Sequence, residues 1–195
     1  AWSASKNLFY IADDEGIFPT TAEGLAKLKP VKPNGTHTFG TQTHPADGNA
    51  GMIVTTRELA RALSTDSAIE VELLGFGQAR VEKGYMPLAP APAAQVALKQ
   101  AGLTIKDVDA VKSHNPFAAN DIAFARETGL PLAKMNNYGC SLIWGHPQGP
   151  TGLRSTIELI EELALRGGGV GLFTGCAAGD SGMALVLRVR EAARK

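Results

Sequence analysis

Apolar and polar positions along the chain change period several times, and each change marks an element. Leu153, Ile157, Ile160, Leu163 and Ala164 recur at helical spacing, which predicts a long amphipathic helix opened by Pro150 or Thr151. The same spacing predicts a helix over 117–128, with Ile122, Phe124 and Ala125 as its apolar side and Gly129 as its stop. A Pro/Ala-rich loop over 86–92 leads to another helix over 93–101 that Gly102 closes. Thr56 caps a helix over 57–63. Thr20-Thr21-Ala22-Glu23 has the spacing of a capping box, so a short helix runs to about Lys29, where Pro30 stops it. Strand-forming runs fall at 69–78, 107–111, 169–174 and 183–189. Two more are expected at 36–43 and 50–55, on either side of the polar loop His44-Pro45-Ala46-Asp47-Gly48. Residues 1–19 read as a strap. Helices alternating with strands predict an α/β layered domain with a mixed sheet flanked by helices.

Composition narrows the class without naming a function. The chain has 195 residues, 44% of them apolar, which is enough for one sizeable core. Basic and acidic residues balance at 19 each and form no basic stripe, so neither a nucleic-acid nor a membrane surface is indicated. No apolar run is long enough to span a bilayer, and the start shows no basic-then-apolar signal pattern. Cys140 and Cys176 are far apart in Gly-rich apolar settings, which speaks against a disulfide framework and for a reducing, cytoplasmic setting.

Candidate chemistry sits in three places where a strand or turn hands a polar residue to a helix start or a glycine loop. His146 lies between glycines just before the longest helix, where the helix dipole disfavours imidazolium and a neutral N–H donor is expected. His114 precedes Pro116, a residue suited to a first helical turn. Cys176 ends an apolar strand beside small residues with accessible backbone N–H groups. Loops at strand ends are where open α/β sheets place their chemistry, so the three can converge. Taken singly, each has a simpler reading: His146 as a turn cap, His114 as a hydrogen-bonded loop residue, Cys176 and Cys140 as small buried groups. No C-x-x-C or H-x-x-x-H spacing supports a metal site, and no Walker or G-x-G-x-x-G loop supports a nucleotide.

Taken together and in order, the three loops resemble the C-terminal half of a thiolase, the acetyl-CoA acyltransferases and acetyltransferases that make or cleave 3-ketoacyl-CoA. The family's N-x-N-G-G-A-I-A-L-G-H-P-x-G-x-S-G-x-R is similar to Asn136 through Arg154, with Gly145-His146-Pro147, Gly149, Gly152 and Arg154 in register. Its C-I-G-G-G-x-G looks like Cys176 to Gly182, and its N-E-A-F-A or H-x-x-F looks like His114-Asn115-Pro116-Phe117-Ala118. Asp14-Glu15 through Pro19, residues 25–30, Gly35-Thr36 and Asp47-Gly48 resemble the approach to that half, so the likeness covers nearly the whole chain.

The resemblance implies a thiolase-like layered fold, with residues 1–64 ending the N-terminal thiolase domain and 65–195 forming the C-terminal one. It implies acyl transfer between CoA thioesters, in fatty-acid metabolism, with acyl-CoA and CoA as partners and no permanently bound cofactor or metal. Cys176 would move protons, His146 would donate to the oxyanion hole that holds the enolate, and His114 would hold the water completing it. A backbone N–H at Ala178 would serve the second hole, while Thr43, Phe117 and Ala118 would touch the pantetheine arm. The nucleophilic cysteine belongs to the family's first half and has no candidate here. The chain alone is therefore expected to be inactive, and to need an N-terminal half on the same chain or a second subunit within a homodimer or tetramer. The stretch around 36–55 completes that half's sheet, so here its strands lack neighbours. Ala178-Gly179-Asp180 departs from the family's G-G-G, and Asn115-Pro116 from its acid and small residue. The alternative these departures leave open is a non-catalytic thiolase-like subunit that binds acyl-CoA or a partner protein.

Overall fold

The strand-forming runs of the second half gather into one mixed sheet in the computed structural model, which describes residues 16–191. Its strands are β1 (Ile69–Arg80), β2 (Ala110–His114), β3 (Gly168–Ala177) and β4 (Ser181–Glu191), in spatial order β1-β4-β3-β2. β2 and β3 are parallel; the other pairs are antiparallel. Six helices accompany them among the described residues: α1 (Ala22–Ala26), α2 (Arg57–Leu63), α3 (Pro90–Gln100), α4 (Ala118–Thr128), α5 (Ser141–Trp144) and α6 (Thr151–Leu165). None is long and apolar enough to cross a membrane.

Alternation along the strands divides the core into two layers. On β4, Ala184 and Val186 join Val111 and Leu172 against α3 and α4, where Ala93, Ala94, Ala97 and Phe124 are buried. Leu187 and Val189 point the other way and meet Ala110, Leu159 and Leu163 under α6. The first layer is thin because its facing residues are small. A Cβ at Gly77 would lie 2.2 Å from the Ala93 carbonyl oxygen, so only glycine lets β1 pass that close to the alanine-rich face of α3. The Pro/Ala stretch thus belongs to the helix it leads into: α3 starts at Pro90, since proline is tolerated in a first helical turn.

Several expectations need correction. No strand forms over 36–43 or 50–55; a short 3-10 turn at Phe39–Thr41 and isolated bridges of Gln42 to Phe117 and Pro45 to His146 take their place. Those residues have the composition of a strand but make only isolated bridges, and a strand cannot satisfy its backbone alone. The first helix ends at Ala26 instead of Lys29, and its cap is Thr21, whose hydroxyl accepts the Gly24 N–H, while Thr20 turns back to the Phe18 carbonyl. The strand placed at 107–111 begins at Ala110 and extends to His114; Asp107 closes a 3-10 turn with Thr104 instead. Cys176 lies within β3, not in a loop after it. The strap reading of residues 1–15 lies outside the described residues.

Candidate active site

Strand register brings two of the three places together. His114 ends β2 paired in parallel with Gly175, one residue before Cys176 on β3. His146 arrives from α5 through Gly145, whose φ of 82° is in the left-handed region and whose missing Cβ would meet that of Ala46 at 2.7 Å. The backbone N–H of His146 donates to the His44 carbonyl at 2.9 Å. Thr43 ties the segment before His44 to both neighbouring turns: its N–H donates to the Pro116 carbonyl at 2.8 Å and its hydroxyl to the Ser141 carbonyl. The result is direct contact of the two imidazoles. Their Nε2 atoms lie 2.9 Å apart and the rings meet edge to face at 4.4 Å.

Proton places on the pair follow from its neighbours. Nδ1 of His114 lies on the β3 side, where the Cys176 backbone favours a hydrogen on the ring. In a neutral His114 with its hydrogen on Nδ1, Nε2 is an acceptor and the hydrogen between the rings sits on Nε2 of His146. Nδ1 of His146 faces the Thr151 hydroxyl at 2.8 Å, and that hydroxyl donates to the Pro147 carbonyl at 2.7 Å. The two rings share one hydrogen between their Nε2 atoms, and the tautomer that puts it on His146 makes that Nε2–H a donor. At 2.9 Å no water fits between the rings.

Electrostatics keep both rings neutral. Burial pulls His114 down to about 4, with His146 and Arg154 adding to the effect and the Cys176 backbone opposing it. Burial also lowers His146, followed by the Arg154 guanidinium. α6 begins at Thr151, as the sequence pattern predicts, and its first residue meets Nδ1 of His146. Burial pushes the Cys176 thiol up, against the Asn120 amide and the residue's own backbone N–H.

A buried polar network fixes the turns beneath the histidines. Asp121 on α4 accepts from Ser113 Oγ at 2.5 Å, Asn115 Nδ2 at 2.6 Å and Asn136 Nδ2 at 3.2 Å. Asn115 in turn accepts the Ser141 N–H at 3.1 Å, at the start of the short helix that leads to His146. Burial raises the Asp121 pKa, and its three donors oppose that. Fully buried Lys112 donates to the Gly139 carbonyl and pairs with Glu158, both at 2.7 Å, which anchors the approach to α5.

The remaining candidates separate. Phe117 lines a cavity of about 480 Å³ together with Gln42, Met86, Pro87 and Asp180. Thr43 lines a neighbouring cavity with Phe39 and Leu142, and Ala118 opens α4 half-buried. Ala178 is exposed in the turn between β3 and β4, where its carbonyl accepts from Ser181. Asp180, in place of a family glycine, adopts φ 56° and turns its carboxylate to the Gly84 N–H at 3.0 Å. Among the described residues, no three His, Cys, Asp or Glu side chains gather as a metal site. Asn120 and Asp121 were not singled out from the sequence. The available signal was a polar residue, Asn120, four positions before Phe124 on the buried side of a helix.

Comparison with known proteins gives a consistent set of relatives. The family model for the thiolase C-terminal domain matches residues 67–189. The 3-ketoacyl-CoA thiolase of Pseudoalteromonas translucida is 36% identical over 198 aligned positions, covering 91% of this chain and 45% of that protein. The crystal structure of Bacillus anthracis acetyl-CoA acetyltransferase superposes with a TM-score of 0.84 at 32% identity, over 90% of this chain and 45% of that one. Human mitochondrial 3-ketoacyl-CoA thiolase in complex with CoA gives 0.78 at 31% identity, over 90% and 44%. The chain spans about half the length of the relatives it matches.

Proposed function

This chain belongs to the thiolase family, and we propose on that premise that it supplies the proton-transfer and enolate-binding part of a thiolase, with the nucleophilic cysteine provided by an N-terminal half on the same chain or a second subunit. The substrates are acyl-CoA thioesters and CoA, and the assembly is a dimer or tetramer. A boundary near residue 65 fits both the start of the family match at residue 67 and the start of β1 at Ile69.

In the condensing direction the nucleophile takes an acyl group from one thioester and CoA leaves. Cys176, as thiolate, removes a proton from the carbon next to the carbonyl of a second acyl-CoA. The resulting enolate oxygen displaces His114 Nε2 as the acceptor of the His146 Nε2–H, so the donor is already aimed before charge develops. The enolate carbon attacks the acyl-enzyme carbonyl, a carbon–carbon bond forms, and the nucleophile leaves as thiolate. Cleavage runs the same steps backwards, with the Cys176 thiol returning the proton. Ala178 is the backbone donor to the acyl-enzyme oxygen, and the cavity beside Phe117 takes the pantetheine arm. The observation that carries this reading is the direct contact of His114 and His146 next to the Cys176 strand.

The test is thiolytic cleavage of a 3-ketoacyl-CoA by the complete protein. Cys176→Ala and His146→Ala each lower kcat by about a thousandfold while the fold, read by circular dichroism, is kept. Near-normal turnover in either variant contradicts the assignment. CoA binding without turnover in the unaltered complete protein would favour the non-catalytic subunit instead.

A further inference from the structure

The first turn of α4 brings an amide to the site that the steps above do not use. Asn120 is 2% exposed and shares the buried side of the helix with Phe124. Its Oδ1 accepts the Phe117 N–H at 3.2 Å, which fixes the amide so that the NH₂ faces β3. There Nδ2 lies 3.2 Å from Sγ of Cys176, in a contact closed to solvent. A thiol sulfur is a weak acceptor and a thiolate a much stronger one, so a buried N–H aimed at sulfur gains most of its value once the thiol ionises.

We propose that Asn120 is a positioning residue that holds Sγ of Cys176 and stabilises its thiolate, setting the pH at which this thiol gives up its proton. The proposal rests on the acid/base reading of Cys176 for its purpose, although its test reads the thiol directly. The surroundings leave Asn120 in the leading place. β2 presents His114, a neutral ring beside the Cys176 backbone, and β4 presents Gly182 across the strand pair. Asp121, next to Asn120, is engaged by Ser113, Asn115 and Asn136, and Arg154 acts on the two histidines. Burial raises the thiol, and the Asn120 amide is the largest effect opposing it.

The experiment is an NMR titration of the chain isotopically labelled at cysteine Cβ, with Cys140→Ser used to assign the two resonances. Asn120→Leu removes the donor. Asn120→Asp keeps the acceptor for the Phe117 N–H, and with it the helix start, while replacing the NH₂ by a carboxylate oxygen. The Cys176 inflection moves up by about one pH unit in Asn120→Leu, the size expected for a hydrogen bond to a charged group. It moves further in Asn120→Asp, and the Cys140 inflection stays in place in both. A Cys176 inflection that is unchanged or lower in either variant overturns the proposal, and Asn120→Asp alone decides it where Asn120→Leu does not fold. Full turnover in Cys176→Ala would defeat the functional reading and leave this titration standing, so the two failures are distinguishable.

Discussion

Residues 16–63 and the sheet that follows obey the same local rules and end in different states. α1 and α2 have side-chain caps, with Thr21 accepting from Gly24 at 3.0 Å and Thr56 from Leu59 at 3.4 Å, yet neither helix buries a residue. α6 has no side-chain cap and buries Thr151, Ser155, Thr156, Leu159, Glu162 and Leu163. Ile53 is 77% exposed and Leu159 is 0% exposed, although the two are similar in hydrophobicity. Caps decide where a helix begins; burial against a neighbouring layer decides whether it is held there. This region nevertheless grips the rest of the chain where residues 42–46 bind the Pro116, Ser141 and His146 turns and where Arg57 and Arg61 pair with Glu70 on β1.

The largest expected contrast is in turnover of the complete protein. His146→Ala lowers kcat about a thousandfold, whereas Thr21→Ala, at a cap remote from the histidines, stays within about twofold of the unaltered protein because it touches no site turn; comparable losses would abolish the division between the regions. In stability, urea unfolding of the chain should show Leu159→Ala costing about 2–5 kcal/mol and Ile53→Ala within about 0.5 kcal/mol. Equal costs would mean that residues 16–63 are packed as tightly as the sheet.

Acid should act on the sheet half through His114. Its folded value of about 4 lies below the ordinary 6.5, so the unfolded chain takes up the proton first. The stability held by the neutral ring is complete above about pH 6.5 and is lost as pH falls towards about 4, by at most about 3 kcal/mol. His114→Asn should flatten the curve in that window, and an unchanged slope would show that the ring is not held neutral by its surroundings. The smallest effect is local: Thr56→Ala weakens α2 by about 1 kcal/mol, seen as faster amide exchange at Ala60, whose N–H donates to the Thr56 carbonyl at 2.8 Å, with exchange in β2 unaltered.

What the sequence disclosed followed the range of the forces involved. Helical spacing placed α6, Thr56 and Gly129 fixed ends of α2 and α4, and β1 lay over the strand-forming run at 69–78. Strands at 36–43 and 50–55 failed because pairing is a property of neighbours, not of composition. The thiolase fold was legible through the order of motifs around His114, His146 and Cys176. Their hydrogen-bond partners were not, because Asn120, Asp121 and Lys112 act across elements and no motif marks them. The raised Cys176 thiol likewise comes from packing that no motif marks, which leaves the residue 6% exposed.

The central claim is that Cys176 moves a substrate proton while His146 holds the oxygen of the resulting enolate. Incubating the complete protein with acetyl-CoA in deuterium oxide and following deuterium at the acetyl methyl group tests it without requiring net product. The account predicts steady incorporation in the unaltered protein and its loss in both Cys176→Ala and His146→Ala. Undiminished incorporation in Cys176→Ala would contradict it and assign the base to another residue.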